Sequence, residues 1–314
     1  MANDFYTPTQ VARVAAALTA QDGFLAALIS RDLEDDLLGG GGKGRTVNVK
    51  VPTALIARSR GIDEVTAAIV LDSLTETTVP ITLGTHAYSA VGLSEGDLSL
   101  DLTNFSAQVL KPQAEAVADF VENEVSDLLL AEAEDNSIAW DPANPVKAFT
   151  AMRAALRQRG VPASGLNVVV GTNVYAALLD AKAIDDVSQS GSTAALRDGQ
   201  VGKVRGFQIV ESIRVPDGDI IAFHRNAFTL AVRAPKVPEG ASFGQTVNES
   251  GFALRYLRDY DARYTQDRSI VSTFCGVAKM PLYKIGRNYD TSAATVTAVA
   301  AGAVLRVNTE TAAS

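Results

Sequence analysis

From Thr46 the chain alternates. Val47, Val49 and Val51 take turns with Asn48 and Lys50, which predicts a strand with one apolar face. Val79, Ile81 and Leu83 alternate in the same way with Pro80, Thr82 and Gly84, so residues 46–93 read as an out-and-back ribbon. Pro80 lacks a ladder donor and implies an edge or a break in pairing. Residues 8–38 have a helical period instead: Val11, Val14 and Leu18, then Leu25, Leu28 and Ile29, then Leu33 and Leu37, with an interruption at Gln21-Asp22-Gly23. Pro112 opens a longer helix, since proline is tolerated at the first helical position. Its apolar stripe is Val117, Val121, Val125 and Leu128, flanked by Phe120 and Leu129. Glu115, Asp119, Glu122 and Asp127 are expected on the opposite face, and the rod ends near Glu134.

Trp140-Asp141-Pro142 and Asn144-Pro145 mark a boundary, and a compact α/β pattern follows. Val146–Arg159 predicts a helix with Phe149, Met152 and Leu156 inward, ended by Gly160 and Pro162. Asn167–Val170 reads as a buried strand and Val174–Leu179 as a helix. Gly199, Gly202 and Gly206 read as turns before a strand at Phe207–Val210, and Asp217-Gly218 as a turn between strands. Residues 252–278 are again strand-like, with Arg255, Arg258, Arg263 and Arg268 near Asp259, Asp261 and Asp267. These charges fit either cross-strand ion pairs or register-setting charge at a subunit seam.

A two-stranded ribbon is marginal in water. No adjacent element in the sequence obviously covers its apolar face. That face must be buried by the rest of the chain or by another copy.

Composition narrows the chemistry. The chain has 314 residues, 47% of them hydrophobic, enough for one large or two modest domains. A net charge of −8 argues against a surface that grips nucleic acid all over. One cysteine, Cys275, rules out an intrachain disulfide and a cysteine zinc cluster, and fits a reducing cytoplasm. Asp4 stands where a secretory signal would carry a cation. The longest nearly apolar run, Ala293–Leu305, is too short to span a bilayer.

The string GGGGKGRT at residues 39–46 has the ingredients of a phosphate loop but not its spacing. Leu37 stands at the first glycine position and Gly44 where Ser or Thr belongs, and a strand pattern follows instead of a helix. A flexible joint at Gly39, Gly40, Gly41, Gly42 and Gly44 is the expectation. GQVGKVRG likewise lacks dinucleotide-loop spacing. No G-x-S-x-G elbow, S-x-x-K or H-E-x-x-H is recognised, and His224-Arg225-Asn226 only approximates a kinase triplet. His86 and His224 sit in apolar strand-like stretches and read as packed side chains, as does Cys275. Glu34, Asp35 and Asp36 read as a solvated helix face. Catalytic residues, metal ligands and cofactors are therefore expected to be absent.

Two stretches carry a resemblance: SLTETTVPITLGTHAYSAVGLSEGDLSLDLTNFSAQVLKPQAEAVADFVE and ALRDGQVGKVRGFQIVESIRVPDGDIIAFHRNAFTLAVRAP. They resemble the ribbon-to-spine junction and the glycine-punctuated axial strands of major capsid (coat) proteins of tailed double-stranded DNA bacteriophages. The resemblance spans roughly residues 5–285. It implies an α+β fold: an N-terminal arm with a glycine hinge at 1–45 and an extended loop, a β-ribbon, at 46–104. A spine helix of a peripheral domain follows at 105–145, then an α/β axial domain at 146–250. Strands return to the peripheral domain at 251–285, and the tail at 286–314 has no counterpart; it reads as a strand added to a neighbour or as a disordered end.

The function so implied is that of a structural subunit, not an enzyme. It self-assembles in the host cytoplasm into the icosahedral capsid shell of a virion and encloses packaged DNA without sequence-specific binding. Hexamers and pentamers of the chain, a portal and a scaffolding protein are the implied partners, with a decoration protein a further candidate and no membrane. Because the arm begins close to Met1, a separate scaffolding protein is expected. The loop region offers Arg58 and Arg60 where some members carry a cross-linking lysine, so no isopeptide mesh is expected. Expected subunit contacts are Val47, Val49, Val51, Arg58, Arg60, Val79, Ile81, Arg255, Arg258, Asp259 and Arg263. The alternatives are an encapsulin-type nanocompartment shell and a soluble enzyme with an unrecognised site.

Overall fold

A computed structural model describes residues 11–15, 24–31, 45–51, 55, 57–64, 66, 68–69, 71, 77–94, 105–133, 138–181, 203–241, 243–249, 252–287, 294–298 and 303–309. In chain order the helices are α1 (Phe24–Leu28), α2 (Lys111–Glu132), α3 (Val146–Arg159) and α4 (Thr172–Asp180). The strands before α2 are β1 (Thr46–Val51), β2 (Thr77–Thr82) and β3 (Thr85–Ser94). Then come β4 (Leu166–Val170), β5 (Lys203–Val204), β6 (Phe207–Glu211), β7 (Asp219–His224) and β8 (Phe228–Arg233). The last are β9 (Phe243–Glu249), β10 (Phe252–Asp261), β11 (Gln266–Lys279), β12 (Tyr283–Arg287), β13 (Ala294–Ala298) and β14 (Val304–Asn308). The chain divides into two compact units. One is Met1–Val47, Pro80–Leu128 and Thr229–Ala278; the other is Asn48–Val79, Leu129–Phe228 and Lys279–Ser314.

The first unit is an antiparallel sheet in the order β3-β11-β10-β9, with β8 also paired to β11. Alternation puts Ala87, Leu254, Tyr256 and Val271 into one core with Leu110, Ala114 and Val117, and with Val11, Ala12 and Ala15 of the helical residues 11–15. Helix α2 follows a π-helical turn, Ser106–Leu110. Its 22 residues span about 33 Å at 1.5 Å each. Gln113 is buried and stitches helix to sheet. Its Nε2 donates to the Ser269 carbonyl at 2.7 Å and the Ser89 carbonyl at 3.1 Å, and the Ser269 hydroxyl donates to its Oε1 at 2.7 Å.

Glu122 departs from expectation. Its spacing predicts the solvent face, yet it is 1% exposed. Its carboxylate accepts the backbone N–H groups of Leu25 and Ala26 at 2.8 and 2.9 Å. It satisfies two of the donors that the start of α1 leaves without an intrahelical partner.

The second unit holds a mixed sheet, β14-β7-β4-β6-β5, in which only β4 and β6 run parallel. Every residue of β4 and β7 is buried. Helix α3 turns Ala148, Phe149, Met152 and Leu156 inward and ends on Gly160 at φ 90°, whose N–H reaches the Arg157 carbonyl at 2.9 Å. Gly171, between β4 and α4, has an ordinary φ of −73° but no room: a Cβ there would lie 2.2 Å from the Pro216 carbonyl oxygen.

Two expectations about order along the chain are corrected. Residues 229–249 fall with the first unit and not with 146–228, because β8 pairs with β11 and β9 with β10. The tail beyond 285 supplies β13, paired to β12, and β14, which completes the mixed sheet of its own chain. Arg306 of β14 places Nη2 2.7 Å and Nε 2.8 Å from Oδ2 of the fully buried Asp219 in β7.

Of the ribbon expected over residues 46–93 only part forms: β3, expected on its return path, pairs instead with β11 in the five-stranded sheet. β1 pairs with β2 as a two-stranded sheet, with the Arg45 carbonyl accepting from the Leu83 N–H at 2.7 Å. Pro80 is exposed in β2, which pairs with β1 alone, so the missing donor is tolerated.

Candidate functional site

Among the described residues no group of three or more His, Cys, Asp or Glu could hold a metal ion. No helix among them is long and apolar enough to cross a membrane. His224 is buried in β7, its Nδ1 accepting the Asn226 N–H at 3.1 Å. Burial pushes its pKa below the usual histidine value, against a raising hydrogen bond with the Ser164 backbone. Cys275 is 1% exposed, and burial, aided by the Glu124 charge, pushes its thiol up to about 12. That thiol stays protonated and is no nucleophile.

The string Gly92-Leu93-Ser94-Glu95-Gly96 does have the G-x-S-x-G spelling, contrary to the motif reading above. Its serine ends β3 in antiparallel register with Gln266, which is not the strand-to-helix turn a nucleophile elbow needs.

The expected contact residues fall in three places. Gly39, Gly40, Gly41, Gly42 and Gly44 lie outside the described residues. Val47, Val49 and Val51 occupy β1, and Val79 is half-buried in β2. Ile81, expected at a seam between copies, is 0% exposed and is covered by its own chain. Arg58 and Arg60 are exposed between β1 and β2.

The charges of residues 252–278 resolve into a hairpin, β10 and β11. Arg258 meets Asp267 at 2.6 Å, and Arg268 grips Asp259 in two bonds of 2.6 and 3.1 Å and reaches Asp261 at 3.2 Å. The cross-strand reading of these pairs is the one realised within the chain. Arg258 also stacks 5.7 Å from the Phe105 ring centroid, and exposed Arg263 lies 5.5 Å from that of Tyr264. Arg255 donates Nη1 to the Lys236 carbonyl at 2.9 Å, and burial lowers its pKa.

Two features escaped the sequence reading. Between β1 and β2 four apolar side chains stand in solvent: Leu55 at 51% exposure, Ile69 at 70%, Leu71 at 88% and Ile62 at 102%. No period marks them, because the described residues between these strands form neither helix nor strand. The second is a cavity of about 520 Å³ in the first unit, lined by Arg45, Arg233, Lys236, His86, Leu83 and Phe274 among others. Its cations are separated by as many as 191 positions, Arg45 to Lys236, so no local motif announces it.

Comparison with known proteins gives one family and many structures. The family described as phage capsid protein matches residues 97–272, more than half of the chain. No curated protein sequence matches. Among solved structures, one of Mycobacterium phage Che8 is similar at 18% identity and a TM-score of 0.58, covering 92% of each chain. The mature capsid of bacteriophage PhiM1 is similar at 13% identity and a TM-score of 0.52, covering 84% of this chain and 82% of that one. The capsid of an empty GTA particle is similar at 14% identity and a TM-score of 0.52, covering 91% and 89%. These likenesses establish the fold. Together with the family match they show that the chain belongs to the phage capsid protein family, as a structural shell subunit with the α+β fold of tailed-phage major capsid proteins.

Proposed function

We propose that copies of this chain close into an icosahedral shell, as hexamers and pentamers, around packaged double-stranded DNA. The observation that carries this is the exposed apolar set Leu55, Ile62, Ile69 and Leu71. Side chains of this size in solvent on one short excursion mark a contact surface. Burying one such side chain contributes about 1.5–3 kcal/mol. Neighbours related by closed symmetry can bury them identically around the shell. Residues 1–45 act as the arm, 46–104 as the extended loop, α2 as the spine and the α/β unit as the axial domain. The residues near β1 and β2, among them Val47, Val49, Val51, Val79, Arg58 and Arg60, lie at seams between copies.

Gly39–Gly42 and Gly44 act as the hinge on which the loop changes angle as the shell expands. A separate scaffolding protein and a portal take part, and assembly occurs in the host cytoplasm. The role is structural and not catalytic, and the net charge of −8 suits a container that must release its DNA.

The test replaces Ile62, Ile69 and Leu71 together by serine. These side chains are exposed, so the thermal melt of the variant matches that of the parent chain while its yield of sedimenting particles collapses. Normal particle yield from the triple variant overturns the reading.

A further inference from the structure

We propose that the β5–β6 hairpin and the edge of α3 that grips it form a phosphate-contacting strip, in which Lys203, Arg205, Arg153 and Arg157 touch the backbone of the packaged DNA. The proposal deepens the shell reading above and rests on it.

The hairpin turn carries the first observation. Lys203 pairs with Gln208 and Val204 with Phe207, so Arg205-Gly206 is a two-residue turn. Both turn residues are left-handed, Arg205 at φ 51° and Gly206 at φ 86°. The first position of such a turn normally goes to Asn, Asp or Gly, because a longer side chain is strained there. Strain held at a single residue points to function, since the fold alone would select the relaxed residue. The side chain held at this tip is a cation, and it is exposed.

Helix α3 brings more cations to the same place. It carries Lys147, Arg153, Arg157 and Arg159 and no carboxylate in 14 residues, in a chain whose 36 Asp and Glu outnumber its 28 Lys and Arg. Arg153 donates Nη1 to the Arg205 carbonyl. A Cβ on Gly206 would collide with the Arg153 guanidinium, so only glycine admits it against the turn. Arg157, one helical turn further on, donates Nη1 to the Val161 carbonyl at 2.5 Å. Each bond uses one donor of a group that has five and fixes where the rest point. Arg157 and Arg159 also complement the carboxyl end of the helix dipole. Arg153, more than a turn from that end, and Arg205 gain nothing from it.

The arrangement suits a chain of phosphates. Lys203 and Arg205 stand two positions apart at the hairpin edge, about 7 Å along an extended backbone. Arg153 and Arg157 are helical neighbours about 6 Å apart. Lys203, Arg205 and Arg157 are exposed and Arg153 is half-buried, so the row lies on open surface. A row of that kind matches a line of phosphates better than one small anion, and it holds a duplex without reading its bases. The acidic balance of the chain disfavours DNA over the rest of the surface, so contact is confined to this strip.

The test measures binding of a fluorescent DNA duplex to the unassembled full chain as salt is raised. Lys203→Gln with Arg205→Asn lowers the slope of log affinity against log salt by about 2 and weakens binding about tenfold at low salt. Lys111→Gln with Lys279→Gln, which removes the same charge from exposed positions elsewhere, leaves the slope unchanged. Because asparagine suits the left-handed turn, Arg205→Asn alone melts about 1–3 °C above the parent chain. In DNA-filled particles the outermost DNA layer lies against the hairpin by cryo-electron microscopy.

No duplex binding by the parent chain, or an equal loss of slope in the control pair, overturns the proposal. A lower melt for Arg205→Asn does so too, since Arg205 then serves the fold. Polyglutamate bound as tightly as the duplex marks an acidic protein as the partner and also overturns it. A parent chain that never forms shells overturns the shell reading itself, whereas shells whose hairpin stands clear of the DNA overturn only the strip.

Discussion

His224 shows how a single titrating group ties stability to pH. Burial holds its pKa below the usual histidine value in the folded chain. Just below pH 6.5 the unfolded chain therefore binds more protons than the folded one, and stability rises with pH there. The contribution is complete above about pH 6.5 and is lost as pH falls through the lowered folded value. His86 shifts in the same direction, through partial burial and then the nearby Arg255 charge. The melting temperature thus drops between about pH 7.5 and pH 5.5, and His224→Gln makes that drop smaller. An unchanged pH slope in the variant contradicts the assignment of His224 as a neutral buried side chain. Histidine in an apolar strand was legible from sequence as packed. Its Asn226 partner was not, because that bond depends on the short 3₁₀ turn at Arg225–Ala227.

Among the elements, α2 and β1 were legible because each carries one unbroken period. Val117, Val121 and Val125 fall on the buried side of α2 as their spacing requires, but Leu128, expected in the same stripe, is half-buried, and the fully buried leucine is Leu129, expected at the flank with Phe120, which is exposed. Glu122 was not legible: the same helix turns it inward to partners 96 and 97 positions away, and no local pattern records that. Glu122→Ala removes two charge-assisted hydrogen bonds and leaves the N–H groups of Leu25 and Ala26 unsatisfied. It costs about 2–4 kcal/mol by denaturant titration, and Glu122→Gln, which keeps an acceptor oxygen, costs less. Equal costs for both contradict the capping role.

Gly171 is a second case of contact hidden from sequence. Its backbone conformation suits any residue, so only the approach of the Pro216 carbonyl requires glycine. Gly171→Ala forces β4 and the Pro216 turn apart and destabilises the α/β unit by about 1–3 kcal/mol, read as a lowered melting transition. The tail was illegible for a related reason. Val304–Asn308 is a short apolar run whose partner, β7, lies some eighty residues earlier, and period alone does not choose between a strand in cis and one given to a neighbour.

At the scale of the molecule, the order of elements (ribbon, long helix, α/β region, returning hairpin) was legible from period and turn residues, and the fold and the shell role came through the family resemblance that the two quoted stretches carry. The surface that would join copies was less so. Ile81, chosen for its alternation, is buried in its own chain, while Ile62, Ile69 and Leu71, which follow no period, are exposed. The account holds that an isolated copy is incomplete and that its exposed apolar excursion is buried only by other copies. The most direct measurement is the mass of the purified chain by sedimentation velocity, followed from low to high protein concentration. The prediction is a cooperative shift from subunit or capsomer to closed particles of many megadaltons, visible as uniform shells by electron microscopy. A chain that stays monomeric at every concentration, with and without a scaffolding protein, contradicts it.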